Sequence, residues 1–135
     1  MMRDTISVGS LSEAKILARL LELGWEVLVP WRRMRRYDLV IERDGYFHKV
    51  QCKTGKLSGD DAVIHFATSN TNGTSGIRRN YVGEVDFFAV YCPDNNKTYL
   101  VPMSDDLGTS ECGLRIVPTK NNQTKGIRFA RDYEL

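Results

Sequence analysis

The chain has 135 residues, of which 41% are hydrophobic and 27% are charged. That composition belongs to a folded globular domain rather than a disordered chain, and the length suits a single domain, 1–135. The formal net charge of +2 is too mild to mark a nucleic-acid binder, so the placement of charge carries more information than its sum.

The sequence holds no apolar run of ~18 residues, and its N-terminal stretch is no secretory leader, so an intracellular, cytoplasmic protein with no membrane partner is expected. Cys52, Cys92 and Cys112 are odd in number and widely spaced, which argues against a disulfide framework and a structural zinc site. Cys52 and Cys92 lie in apolar alternations and read as small core residues.

A helix is expected over 10–24. Ser10-Leu11-Ser12-Glu13 fits a capping box, Leu11, Ala14, Leu17, Ala18 and Leu21 form an apolar stripe, and Gly24 supplies the stop. Trp25 to Pro30 reads as a strand. The basic loop Trp31-Arg32-Arg33-Met34-Arg35-Arg36 follows, then strands over Tyr37 to Glu42 and Tyr46 to Lys53. Arg43-Asp44-Gly45 joins these two by an Asp-Gly hairpin. From Thr54 to about Asn80 the chain is polar apart from an alternation at Ala62 to Thr68, and a stretch of this kind in a small domain is usually functional or disordered. Tyr81 to Glu84 reads as a short helical turn, Asp86 to Cys92 as a central strand, and Lys97 to Pro102 as its partner after a turn at 93–96. Two short strands, Leu114 to Val117 and Ile127 to Ala130, complete the pattern.

The chemistry concentrates on Asp38, Gln51 and Lys53. Residues two apart on a strand share a face, so Gln51 and Lys53 point one way while Val50 and Cys52 point into the core. A hairpin turning at residue 44 or 45 pairs positions that sum to about 89, which sets Asp38 against Gln51. A carboxylate, an amide oxygen and an ammonium are thereby gathered. A hard divalent ion takes few protein oxygens and leaves room for water and phosphate. Asp38, the Gln51 side-chain oxygen and the Cys52 carbonyl supply such oxygens, and Lys53 suits an attacking water or a phosphate gaining charge.

The order Gly9-x-x-x-Glu13, Tyr37-Asp38-Leu39-Val40-Ile41 and Val50-Gln51-Cys52-Lys53-Thr54 resembles the PD-(D/E)XK nuclease superfamily, over about residues 8 to 102. Within it the chain is most similar to homing endonucleases encoded in group I introns, and next to archaeal Holliday junction resolvases. The resemblance implies a mixed α/β fold with an αβββαβ core, here followed by additional C-terminal strands. It implies catalytic roles for Glu13, Asp38, Gln51 and Lys53, with metal held by Asp38 and residue 51, water assisted by Lys53, and the site completed by Glu13 from the first helix. Two positions depart from the family pattern: Tyr37 stands where proline precedes the aspartate, and Gln51 replaces the usual acid, keeping an oxygen but removing a charge. Some intron-encoded nucleases are similar in using glutamine here.

Arg32, Arg33, Arg35 and Arg36 crowd four arginines into five positions just before Asp38, and are expected to meet phosphate. Lys56, Arg78 and Arg79 form a second basic set, and Lys120, Lys125, Arg128 and Arg131 a third. His48 and His65 read as structural, His48 having the opposite strand parity to Gln51 and Lys53. The expected function is a sequence-specific double-stranded DNA endonuclease dependent on Mg2+ or Mn2+. The alternatives are a Holliday junction resolvase or a non-catalytic DNA-binding module on a nuclease fold. One such site cuts one strand, so cutting a duplex implies a homodimer or homotetramer.

Overall fold

The structure is a computed structural model that describes residues 4–32, 36–71, 78–108 and 110–135. Arg33 and Arg35 of the basic loop lie outside the described residues. Helix α1 (Thr5–Glu22) starts five residues earlier than the capping box suggested, because the Asp4 carboxylate caps it by accepting from the Ser7 N–H at 2.7 Å. Glu13 is therefore a mid-helix residue and not part of a cap. Gly24 does end the helix: at φ 78° it lets its own N–H reach Leu21 O and the Trp25 N–H reach Leu20 O, which satisfies the last carbonyls.

The buried face of α1 also differs from the expected stripe. Ser12, Ile16 and Leu20, each four residues apart, are buried, whereas Ala14, Ala18 and Leu21 are exposed. Alanines match an apolar period while contributing little buried area, so the larger Ile16 and Leu20 set the rotation of the helix. Ser12 enters this row because its Oγ shares a 2.6 Å hydrogen bond with Thr54 Oγ1 at the end of a strand.

Strands β1 (Glu26–Leu28), β2 (Leu39–Arg43) and β3 (Tyr46–Thr54) run antiparallel in sequence. Asp44 and Gly45 take φ of 53° and 82°, the left-handed pair that a two-residue hairpin turn needs. The resulting register pairs Leu39 with Val50 and Arg43 with Tyr46, positions summing to 89 as expected. The chain then forms β4 (Lys56–Leu57), β5 (Val63–Ala67), β6 (Ser69–Thr71) and β7 (Arg78–Asn80). The described residues of the polar stretch 54–80 thus fall largely in short strands, with only Val63–Ala67 anticipated by the alternation. β8 (Phe87–Cys92) returns parallel to β3, and β9 (Lys97–Pro102) pairs antiparallel with β8. The main sheet has the order β1-β2-β3-β8-β9.

No second α-helix occurs among the described residues. Where the αβββαβ pattern places one, residues 81–84 form only a turn, in which Tyr81 O accepts from the Glu84 and Val85 N–H groups. At the C-terminal end, β10 (Glu111–Arg115) pairs with β5, and β5 with β4, in a second sheet of order β10-β5-β4. In place of the expected strand over 127–130 there is a single bridge at Phe129 and a 3-10 turn at Ala130–Asp132.

The main sheet is covered on both faces. On one, Ile16 and Leu20 pack against Leu39, Ile41, Val50, Ala89, Tyr91 and Leu100. On the other, Phe88, Val90, Tyr99 and Val101 pack against Ile64, Phe66, Cys112 and Leu114 of the second sheet. β8 is therefore apolar throughout, as a strand buried on both faces requires. Cys92 and Cys112 are buried and Cys52 half-buried, and all three are free of disulfides.

Gly55 marks the crossing from main to second sheet, and its N–H donates to Tyr91 O at 2.8 Å. A Cβ there would lie 2.7 Å from Ile64 Cγ2 and 3.0 Å from Val90 Cγ1. Gly55→Ala is expected to destabilise the fold by about 1–3 kcal/mol, measurable by urea denaturation, because both obstructing side chains are buried.

Candidate active site

β3 carries the centre of the site. Gln51 and Lys53 stand on the face turned toward the second sheet, in register with Phe88 and Val90 of β8. Asp38, just before β2, brackets Gln51. Its N–H donates to Val50 O at 2.8 Å and its Oδ2 accepts from the Cys52 N–H at 2.8 Å. The backbone on either side of Gln51 thus fixes the position of the Asp38 carboxylate. A strand residue turns its N–H and C=O to the same edge, so the Cys52 carbonyl faces the edge where Asp38 sits. The expected gathering of Asp38, Gln51 and Lys53 is present.

Glu13 approaches from the helix side of the sheet. The Ser12–Thr54 hydrogen bond pins that turn of α1 to the end of β3, and the Glu13 carboxylate lies near enough to act on the Cys52 thiol. Burial pushes the Cys52 pKa strongly upward, and the charges of Asp38 and Glu13 add to the shift. Cys52 therefore stays a thiol at neutral pH, a poor metal ligand, so its carbonyl is the group that could serve an ion.

Lys53 sits in a wall that the sequence did not reveal. Its Nζ donates to the Tyr81 hydroxyl at 3.2 Å and lies 4.8 Å from the centre of the Tyr81 ring. Burial pulls the Lys53 pKa below the usual range; Asp38 opposes that shift and Arg36 adds to it. Burial raises the Tyr81 pKa, so the phenol is neutral. The Arg36 guanidinium lies 3.9 Å from the centre of the same ring.

Arg36, expected to meet phosphate, makes its hydrogen bonds within the protein. Its Nε donates to Glu84 Oε2 at 2.5 Å, Nη1 to Asn70 Oδ1 at 2.8 Å and Nη2 to Asn80 O at 2.6 Å. Arg79 pairs with the other Glu84 oxygen. Although burial acts to raise the Glu84 pKa, the hydrogen bonds and charges of Arg36 and Arg79 hold it below the usual carboxylate range. The signal for Arg36, Tyr81 and Glu84 is tertiary: Arg36 and Glu84 are 48 positions apart.

Of the other basic residues, Arg32 and Lys56 are exposed, and Arg78 and Arg79 lie on β7 beside the site. Arg128 pairs with Asp106 at 2.7 Å, and Arg131 lies over the Phe129 ring. His48 packs edge-on against Phe87, and His65 lies 3.3 Å from Glu111, so both histidines are away from Asp38.

Among the described residues, no three His, Cys, Asp or Glu side chains cluster as a ready metal cage. Asp38, the Gln51 amide oxygen and the Cys52 carbonyl are instead the oxygens that could hold an ion beside β3, one charged and two neutral. That set fits a hard ion such as Mg2+, which retains several waters and uses few protein ligands.

A sequence model of the PD-(D/E)XK endonuclease family matches residues 3–135, nearly the whole chain. The chain belongs to the PD-(D/E)XK endonuclease family. No curated protein sequence matches it. Among solved structures, this family member is similar to the bacterial homing endonuclease I-Ssp6803I, with 26% identity and a TM-score of 0.74 over 98% of this chain and 89% of that one. The mixed sheet, with one α-helix among the described residues, is consistent with this nuclease fold.

Proposed function

We propose that this PD-(D/E)XK nuclease is a sequence-specific endonuclease that hydrolyses phosphodiester bonds of double-stranded DNA with Mg2+ or Mn2+. The observation that carries the reading is Asp38 bonded to the backbone on both sides of Gln51, with Lys53 next on the same strand face. Asp38, Gln51 and the Cys52 carbonyl would hold the ion, and Glu13 would complete the site from α1. A bound divalent ion supplies charge neutralisation at the phosphate and a more acidic water. Lys53, held beside Asp38, steadies charge developing on the phosphate and orients the attacking water.

Arg32, Arg33, Arg35, Lys56, Arg78 and Arg79 supply the cationic flanks that meet the DNA backbone, and Arg36 holds together the wall that carries part of them. The likeness to a homing endonuclease favours a specific duplex target. One site per chain calls for a homodimer or homotetramer to cut both strands. Exposed Leu28 at the end of the edge strand β1 and Val29 and Trp31 just after it, with Tyr46 and Phe47 at the hairpin, offer apolar surface for such pairing. No described helix is long and apolar enough to cross a membrane, and action on DNA suits a cytoplasmic location.

The reading is tested with supercoiled plasmid bearing candidate sites. Nicking or linearisation is expected in Mg2+ and none in EDTA. Salt-sensitive binding without cleavage in either metal would contradict it and leave a DNA-binding module. Preference for a synthetic four-way junction over its linear arms would point to a resolvase. Gln51→Glu adds a charge to the oxygen set, so its Mg2+ dissociation constant, read by titrating cleavage, is expected to fall on the order of ten-fold.

A further inference from the structure

The motif residues account for Asp38, Gln51 and Lys53 but leave a buried tyrosine against the lysine without a role. Tyr81 is 2% exposed, and its ring is held on two sides. Phe88 meets it edge-on at 5.6 Å and 90°, and the Arg36 guanidinium lies 3.9 Å from its centre. Arg36 is itself fixed by Glu84, Asn70 and the Asn80 carbonyl. A ring clamped in this way has little freedom to move its hydroxyl, and that hydroxyl receives the Lys53 ammonium at 3.2 Å. A lysine side chain has four rotatable bonds and gives up considerable rotamer freedom when fixed. A rigid acceptor is what holds such a group in one place without neutralising its charge, as a second carboxylate would.

We propose that Tyr81 is the positioning residue of this nuclease, its hydroxyl holding the Lys53 ammonium in the place from which it serves the reacting phosphate, with the Arg36–Glu84 pair fixing the ring. The inference rests on the proposed nuclease site. It assigns Tyr81 no contact with DNA or metal: it acts through Lys53. Displacement of a catalytic group by about 1 Å can slow a reaction ~100-fold, so the hydroxyl alone is worth a measurable rate.

The test is Tyr81→Phe, which keeps the ring, its packing on Phe88 and its contact with Arg36. The single-turnover rate of plasmid cleavage in Mg2+ is expected to fall roughly 10- to 100-fold. Plasmid affinity in Ca2+ and the thermal midpoint should stay near those of the parent. A second readout needs neither metal nor DNA. A slowly exchanging 15N–1H signal of the Lys53 ammonium, assigned by its absence in Lys53→Arg, is expected in the parent and not in Tyr81→Phe. Cleavage at the parental rate, a parental Lys53 signal in Tyr81→Phe, no such signal in the parent, or loss of rate matched by loss of DNA affinity would each overturn the proposal. Lys53→Ala separates the two levels of inference. If Lys53→Ala cleaves normally, the nuclease site is misassigned; if it is inactive while Tyr81→Phe is normal, only the role of Tyr81 falls.

Discussion

Lys53→Ala is expected to slow single-turnover plasmid cleavage by about 100- to 1,000-fold, and Asp38→Asn by at least as much. The two substitutions remove different things. Lys53 contributes a cation in a partly buried setting, where burial strengthens its field and its neighbours Asp38 and Tyr81 hold it in place. Truncating it leaves the backbone of β3 paired to β2 and β8 as before, so the thermal midpoint should move little. Asp38→Asn retains an oxygen that can accept from the Cys52 N–H while removing the one charge in the oxygen set beside Gln51. Asp38→Ala is a less clean test, because it also strands the Cys52 N–H and loosens the bracket around Gln51. Rates of both variants near that of the parent, measured on the same plasmid, would show that phosphodiester cleavage is done elsewhere.

Phe88→Ala is expected to produce the largest loss of stability of any single core truncation near the site, about 3–5 kcal/mol. Phe88 is fully buried in β8, in register with Gln51, and meets the rings of Phe66 and Tyr81, each at 5.6 Å. Its removal opens a cavity between the main and second sheets that flanking β-strands cannot collapse to fill. For a domain of this size that cost corresponds to a fall in melting temperature of roughly 10–15 °C, read by calorimetry. The substitution also removes the edge on which Tyr81 rests. Cleavage measured well below the new midpoint should therefore drop as well. Leu20→Ala, on the helix side of the sheet, is expected to lose about 2–5 kcal/mol while the variant still folded at low temperature cleaves normally. Equal effects of the two truncations on cleavage would contradict the link from Phe88 through Tyr81 to Lys53.

The parts of this protein that were legible in its sequence are those set by local rules. Asp44-Gly45 dictates a two-residue turn, the turn dictates the register of β2 on β3, and the register brings Asp38 to Gln51. Gly24 ends α1 for a similar reason, since only a residue comfortable at positive φ closes that helix end. The parts that were hidden depend on packing between distant segments. Ser12 looked like one member of a cap, yet it is buried because Thr54, 42 residues away, satisfies its hydroxyl. Arg36 looked like its neighbours in a basic run. Its guanidinium is drawn inward by Glu84, by the Asn70 side chain of β6 and by the Asn80 carbonyl of β7, all more than 30 residues along the chain. Tyr81 read as part of a helical turn, and its meeting with Lys53 follows from the parallel placement of β8 beside β3, which no local signal specifies.

A crystal structure of the protein grown with Mn2+, with the ion located by its anomalous scattering, tests the central claim most directly. The site described here predicts one ion in contact with the Asp38 carboxylate and the Gln51 amide oxygen, on the edge that the Cys52 carbonyl faces. An ordered Asp38 and Gln51 with no ion between them, or an ion bound by other residues, would contradict it.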